Sequence, residues 1–116
     1  MANTQQPDPS QPASPLSEAT FLILVSLGSG PKHGYAIMKE VEELSQCRVL
    51  LSTGTLYGAI KRLLADRWIY RVDLPEDGQD GRDRKSYALT YHGRQVLRAE
   101  TQRLRDLVEL ALQRAF

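Results

Sequence analysis

Residues 53–62, TGTLYGAIKR, concentrate hydroxyl, phenol and cationic side chains within one short segment. Thr53, Tyr57, Lys61 and Arg62 fall mostly on one side when the segment is wound as a helix, with Thr55 beside them near its start. Leu56, Ala59, Ile60, Leu63 and Leu64 recur at the i, i+3, i+4, i+7, i+8 spacing of a single buried face. Such a polar side suits an anionic surface rather than covalent chemistry. Hydroxyls near a helix N-terminus bond phosphates or base edges, and the terminus itself favours an anion. Tyr57 can reach a phosphate or lie on a sugar, and Arg62 can bind a phosphate or a guanine through two nitrogens. A solvated helix face would carry similar residues, so the neighbouring elements must decide between the two readings.

Other candidates for chemistry are weaker. Lys32-His33-Gly34-Tyr35 opens another helix, where Lys32, Tyr35 and the backbone amides can hold a phosphate. His33 has no Ser, Cys or carboxylate at a spacing that suggests catalysis, so a helix cap or a local bond is expected, and no enzyme. Cys47 is the one cysteine, which excludes an internal disulfide and fits a reducing compartment. One cysteine and two separated histidines assemble no metal site, and no cofactor is expected. No apolar run nears the roughly 20 residues of a membrane span, and no secretion signal is visible, so a cytoplasmic location is expected.

The elements that must position these residues follow from pattern. Residues 1–15 are rich in Pro, Gln and Ser and read as a disordered tail. Order should begin at Leu16, with Ser17 and Glu18 as N-cap and first turn. Ala19 to Leu27 is apolar nearly all round, so the helix is buried on more than one side, the second being another subunit that Leu22 would meet. Gly28, Gly30 and Pro31 end it. A second helix runs from about Gly34 to Ser45, with Ile37, Met38, Val41 and Leu44 inside. Residues 46–52 connect it to a third helix from near Thr53 to near Asp66. Trp68 to Leu74 alternates as a strand, with Ile69, Arg71 and Asp73 on one side and Trp68, Tyr70, Val72 and Leu74 on the other. Residues 75–83 hold two Asp-Gly pairs and read as a flexible loop. Arg84 to Thr90 reads as the return strand, with Tyr87 and Leu89 inward. A long helix fills about Tyr91 to Ala115, where Leu97, Leu104 and Ala111 repeat every seven residues and Leu107 and Val108 fill the seam.

This order predicts a mainly α fold with a two-stranded β wing: a winged helix-turn-helix over residues 16–90 and a C-terminal dimerisation helix over 91–116. A net charge of only +1 allows a DNA binder if the cations cluster. They do, because residues 53–72 hold four cations against one acid. Arg82, Arg84 and Lys85 on the return side of the wing would grip the DNA backbone, a contact that positions rather than specifies. The acids at Asp73, Glu76, Asp77 and Asp80 keep the outgoing side away. A 25-residue helix is a rod of about 38 Å, too long to bury its whole stripe on so small a domain. Its stripe of Leu97, Leu104, Leu107, Val108 and Ala111 is therefore expected to pair with a second copy.

The segments LSEATFLILVSL (16–27), HGYAIMKEVEEL (33–44), TGTLYGAIKRLLADRWI (53–69), KSYALT (85–90) and HGR (92–94) resemble the PadR family of bacterial transcriptional regulators. The likeness spans about residues 16–112, and the single C-terminal helix is similar to the short-form subfamily. It implies a homodimeric, DNA-binding repressor acting at a pseudo-palindromic operator. Family members often respond to small aromatic or lipophilic effectors. Two other readings use the same residues: a protein–protein interaction module without a DNA role, and a sensor in which ligand capture dominates.

Overall fold

A computed structural model describes residues 14–73 and 85–116. Its elements in chain order are α1 (Glu18–Ser26), a 3-10 turn (Leu27–Ser29), β1 (Lys32–His33), α2 (Gly34–Leu44), α3 (Thr53–Ala65), β2 (Ile69–Val72), β3 (Ser86–Leu89) and α4 (Tyr91–Ala115). Three helices start on a hydroxyl that accepts an otherwise orphaned amide. The Ser17 Oγ accepts from Thr20 N–H, Ser52 Oγ from Thr55 N–H, and Thr90 Oγ1 from Gly93 N–H. The helix α2 lacks such a cap, because the His33 ring bonds elsewhere.

Both helices of the helix-turn-helix end in the same way. In α2, Cys47 N–H bonds Glu42 O at 2.8 Å and Gln46 N–H bonds Glu43 O at 3.1 Å. In α3, Trp68 N–H bonds Leu63 O at 3.0 Å and Arg67 N–H bonds Leu64 O at 3.1 Å. These paired reversals are Schellman endings, which need a left-handed residue. Gln46 (φ 53°) and Arg67 (φ 61°) take that conformation without being glycine. Periodicity alone therefore placed the helix ends without naming the residues that make them.

The core is one cluster. Ile23, Leu24 and Leu27 of the first helix and turn meet Ile37 and Val41 of α2, and Leu56, Ile60 and Leu63 of α3. Ile69, Tyr87, Leu89 and Val96 close it from the sheet and α4. Trp68 packs against its edge. Leu44, expected inside, is 47% exposed on the last turn of α2. Its place is taken by Ser45, whose buried hydroxyl bonds across the turn with Val49.

The sheet departs from the expected two strands. It has three, ordered β1-β3-β2 and all antiparallel. Lys32 pairs with Tyr87 and His33 with Ser86, while Ile69, Tyr70, Arg71 and Val72 pair with Leu89, Ala88, Tyr87 and Ser86. A two-residue strand leaves no alternation to read, which is why β1 was not visible in the sequence. His33 is tied to it, its Nδ1 lying 2.8 Å from Ser86 Oγ, instead of capping α2. The predicted inward residues Tyr87 and Leu89 are buried. On β2 the side holding Ile69 faces the core, and Tyr70 is half-exposed.

Two close approaches lock the helices together. A Cβ on Gly93 would overlap the carbonyl of Trp68, so α4 starts directly on the backbone that ends α3. The same carbonyl accepts Thr90 N–H at 3.0 Å, and Thr90 Oγ1 donates to Arg67 O at 2.7 Å. At Gly34, a Cβ would lie 2.5 Å from the Tyr57 hydroxyl, so the first turn of α2 is the seat of the α3 phenol. One turn beyond Val96, the Glu100 carboxylate (2% exposed) accepts Leu16 N–H at 3.0 Å and two bonds from Arg103, at 2.9 and 2.7 Å. It fastens α4 to the chain that enters α1. The bonds from Arg103 and Leu16 hold this carboxyl below the usual glutamate range, against the opposing effect of burial.

Two stability predictions follow from these contacts. Gly34→Ala lowers stability by about 1–3 kcal/mol through overpacking, and adding Tyr57→Phe, which deletes the obstructing oxygen, recovers at least half of that loss in denaturant unfolding. Simple additivity of the two losses would contradict the seat. A depressed folded pKa stabilises above the unfolded value and loses that contribution as pH falls through the folded one. Hence Glu100→Gln destabilises by about 1–3 kcal/mol at neutral pH. The difference between wild type and variant should shrink on acidification below the ordinary glutamate range, as read by thermal melts across pH.

Candidate nucleic-acid interface

The side of α3 opposite the core is open. Thr53, Thr55, Tyr57 and Lys61 are all exposed, while Leu56, Ala59, Ile60 and Leu63 are buried beneath them. Hence the face predicted from the residue types is formed, and α3 offers about 20 Å of helix, which the roughly 12 Å wide major groove of DNA can admit. The Thr55 hydroxyl accepts from Ser52 Oγ at 2.9 Å, which fixes the cap and holds the first turn of α3 in place.

The structure separates two cations that are adjacent in sequence. Lys61 continues the row through Thr53 and Tyr57. Arg62 lies a hundred degrees further round and lines a concavity of about 570 Å³ with Ser17, Thr20, Asp66, Trp68 and His92. Arg62 therefore faces the junction of α1, α3 and α4, with an acid beside it.

At the start of α2, Tyr35 is exposed and one turn from Lys39. Lys32 is engaged rather than projecting: its Nζ donates to Ser29 Oγ at 2.7 Å and lies 3.4 Å from Glu40. That pairing offsets its charge at the position where a phosphate was expected. Lys85 is exposed at the entry to β3. Arg82 and Arg84 lie outside the described residues, as do the loop and most of the expected tail.

Arg71 counts in the sequence only toward the basic cluster of residues 53–72 and is not among the expected DNA contacts. It is exposed on β2, in register with Tyr87, whose other neighbour across the sheet is Lys32. Burial pushes the Tyr87 phenol up, the nearby Tyr57 adds to this, and the positive charge of Arg71 opposes both. Arg71 and Tyr57 both lie near the buried Tyr87 phenol, so β2 and α3 approach one another there. The available signal was the alternation that put Arg71 in phase with Ile69, on the side of the sheet that packs toward α3.

The six residues expected at a subunit interface divide in two. Leu22, Leu97 and Leu104 are half-buried within the protomer, whereas Leu107 (49% exposed), Val108 (58%) and Ala111 lie open. The burial of α4 ends near Arg103 and Leu104, and every residue from Arg105 on is exposed. Among the described residues no group of three His, Cys, Asp or Glu side chains could hold a metal ion. No helix among them is long and apolar enough to cross a membrane.

Residues 23–99 match the transcriptional regulator PadR-like family. A PadR family transcription regulator from Clostridium difficile is similar in structure, with a TM-score of 0.71 and 31% identity over 84% of this chain and 97% of that one. A PadR-like transcription factor from Bacteroides fragilis gives a TM-score of 0.66 and 26% identity, over 83% of this chain and 88% of that one. Bacillus subtilis PadR in complex with operator DNA shares the fold, with a TM-score of 0.57 and 24% identity over 69% of this chain and 44% of that one. An uncharacterised 37.1 kDa protein in transposon Tn4556 of Streptomyces fradiae is 38% identical over 84 residues, covering 72% of this chain but only 22% of that protein. With the winged-helix elements in place and the family match spanning α2, α3, the sheet and most of the buried part of α4, this chain belongs to the PadR-like family of transcriptional regulators.

Proposed function

We propose that this protein is a sequence-specific DNA-binding repressor that acts as a homodimer on a pseudo-palindromic operator. The observation that carries the reading is the open side of α3, where Thr53, Thr55 and Lys61 stand clear of the core that holds the helix in place and Tyr57, half-exposed, rests on Gly34. In this reading α3 enters the major groove, Thr53 and Thr55 meet phosphates or base edges, and Lys61 supplies charge. Arg71 and Lys85 hold the flanking backbone from the wing, with Arg82 and Arg84 beside them in sequence. The complex of Bacillus subtilis PadR with operator DNA supports the use of this fold for that purpose.

The homodimer rests on the second half of α4. Leu104, Leu107, Val108 and Ala111 would be core in a pair, whereas in one copy Leu104 is half-buried and the other three face solvent. An exposed apolar stripe of this length marks an interface. The pairing would set two copies of α3 at the roughly 34–36 Å spacing of successive major grooves on one side of DNA. A lipophilic effector would lodge beside that stripe, in the groove of about 430 Å³ shared by Phe21, Leu104, Val108 and Leu112, and change the angle between copies.

Binding to promoter DNA should weaken steeply with salt, and Lys61→Ala should reduce the log–log slope by about 0.9, one phosphate's share. A flat slope would favour the protein–protein module instead. Leu104→Glu should yield monomers by light scattering and abolish operator binding. A variant that remains dimeric would place the interface elsewhere.

A further inference from the structure

We infer that Glu40 of α2 is an internal counter-ion that keeps Lys32 off DNA, and that removing its charge adds one phosphate contact to the complex. This rests on the proposed binding of duplex DNA by α3 and concerns how tightly that interface holds. In a helix-turn-helix the helix before the recognition helix crosses the DNA backbone. The start of that helix is fixed here beside the open side of α3, because Gly34 is the seat of Tyr57. Lys32 precedes it on β1, level with Tyr87, whose other neighbour across the sheet is Arg71. A free ammonium there would stand beside the backbone that flanks α3.

Lys32 is not free. Its Nζ donates to Ser29 Oγ at 2.7 Å and lies 3.4 Å from a carboxylate oxygen of Glu40. Glu40 is six residues beyond Gly34, which puts it nearly two turns along α2 and about 120° round from the contact with Tyr57. The lysine is therefore folded back along α2, away from α3. Burial sets this pair apart from its neighbour on the same helix. The side chains of Lys32 and Glu40 are 18% and 31% exposed, against 50% and 39% for Lys39 and Glu42. An exposed pair is loosened by solvent and salt, whereas a half-buried one is screened much less. To reach a phosphate, Lys32 must leave the Glu40 carboxylate unpaired and within about a Debye length, roughly 10 Å, of the DNA backbone, which repels it. Both effects oppose the contact. Ser29 is neutral, so once Glu40 loses its charge nothing of opposite sign holds the lysine back.

The test is a salt titration of binding to duplex DNA from upstream of the gene, using the full chain as wild type, Lys32→Ala, Glu40→Gln and the double variant. Lys61→Ala is the reference for a lysine that touches DNA. Lys32→Ala alone should leave affinity and log–log slope as in wild type. Glu40→Gln should tighten binding about fivefold at low salt and steepen the slope by about 0.9. Glu40→Ala, which removes the same charge, should steepen it equally, and the double variant should return to wild type. Lys32→Ala lowering the slope by itself would overturn the inference, because the lysine would already reach DNA. An unchanged slope in both Glu40 variants, or a gain that survives in the double variant, would overturn it as well. A wild-type slope near zero, insensitive also to Lys61→Ala, would instead overturn the DNA reading on which it rests.

Discussion

The carbonyl of Trp68 is where three parts of the molecule are joined. It accepts the amide that ends β3 and lies against Gly93 on the first turn of α4. One residue earlier, the Arg67 carbonyl takes the Thr90 hydroxyl that caps the same helix. The end of α3, the base of the sheet and the start of α4 therefore move as one body. A side chain at residue 93 could be accommodated only by lifting α4 off this joint. The angle between the exposed side of α3 and the axis of α4 is fixed there, and Glu100 fixes α4 a second time at the entry to α1. If α4 pairs with a second copy, the same joint governs how far apart two copies of α3 stand.

Much of this was legible in the sequence because the strongest signals are periodic. The two-faced pattern of α3, its Thr53 start and the full span of α4 follow from apolar spacing and caps, and the structure places them as expected. Leu44 misled because a stripe residue on the last turn of α2 passes beyond the helices it would pack on. The strand β1 escaped because two residues carry no pattern. His33 was misjudged for the same reason: its partner Ser86 is 53 residues away, a contact that only the completed sheet creates.

The candidate interface shows the same division. Residue type and spacing identified the face of α3, but not which cations are free to act on it. Lys32 is held by Ser29 and Glu40, while Arg62 is exposed and lines the concavity that Asp66 and His92 share. Arg71 was not singled out, because only the sheet register sets it beside Tyr87. Two glycines within the segments that resemble the family have distinct uses. Gly34 of HGY makes room for the tyrosine of TGTLY, and Gly93 of HGR makes room for the backbone that follows α3. Both motifs build the platform on which a DNA-reading helix would be displayed.

The central claim is that the open side of α3 meets duplex DNA. A photoreactive side chain at position 61 tests it most directly, with position 39 on the exposed side of α2 as control, in the presence of genomic duplex fragments. Cross-links to DNA from position 61 and none from position 39 are the predicted result. Position 61 linking instead to a second copy of the protein, or to nothing while the wild type retains DNA, would contradict the account.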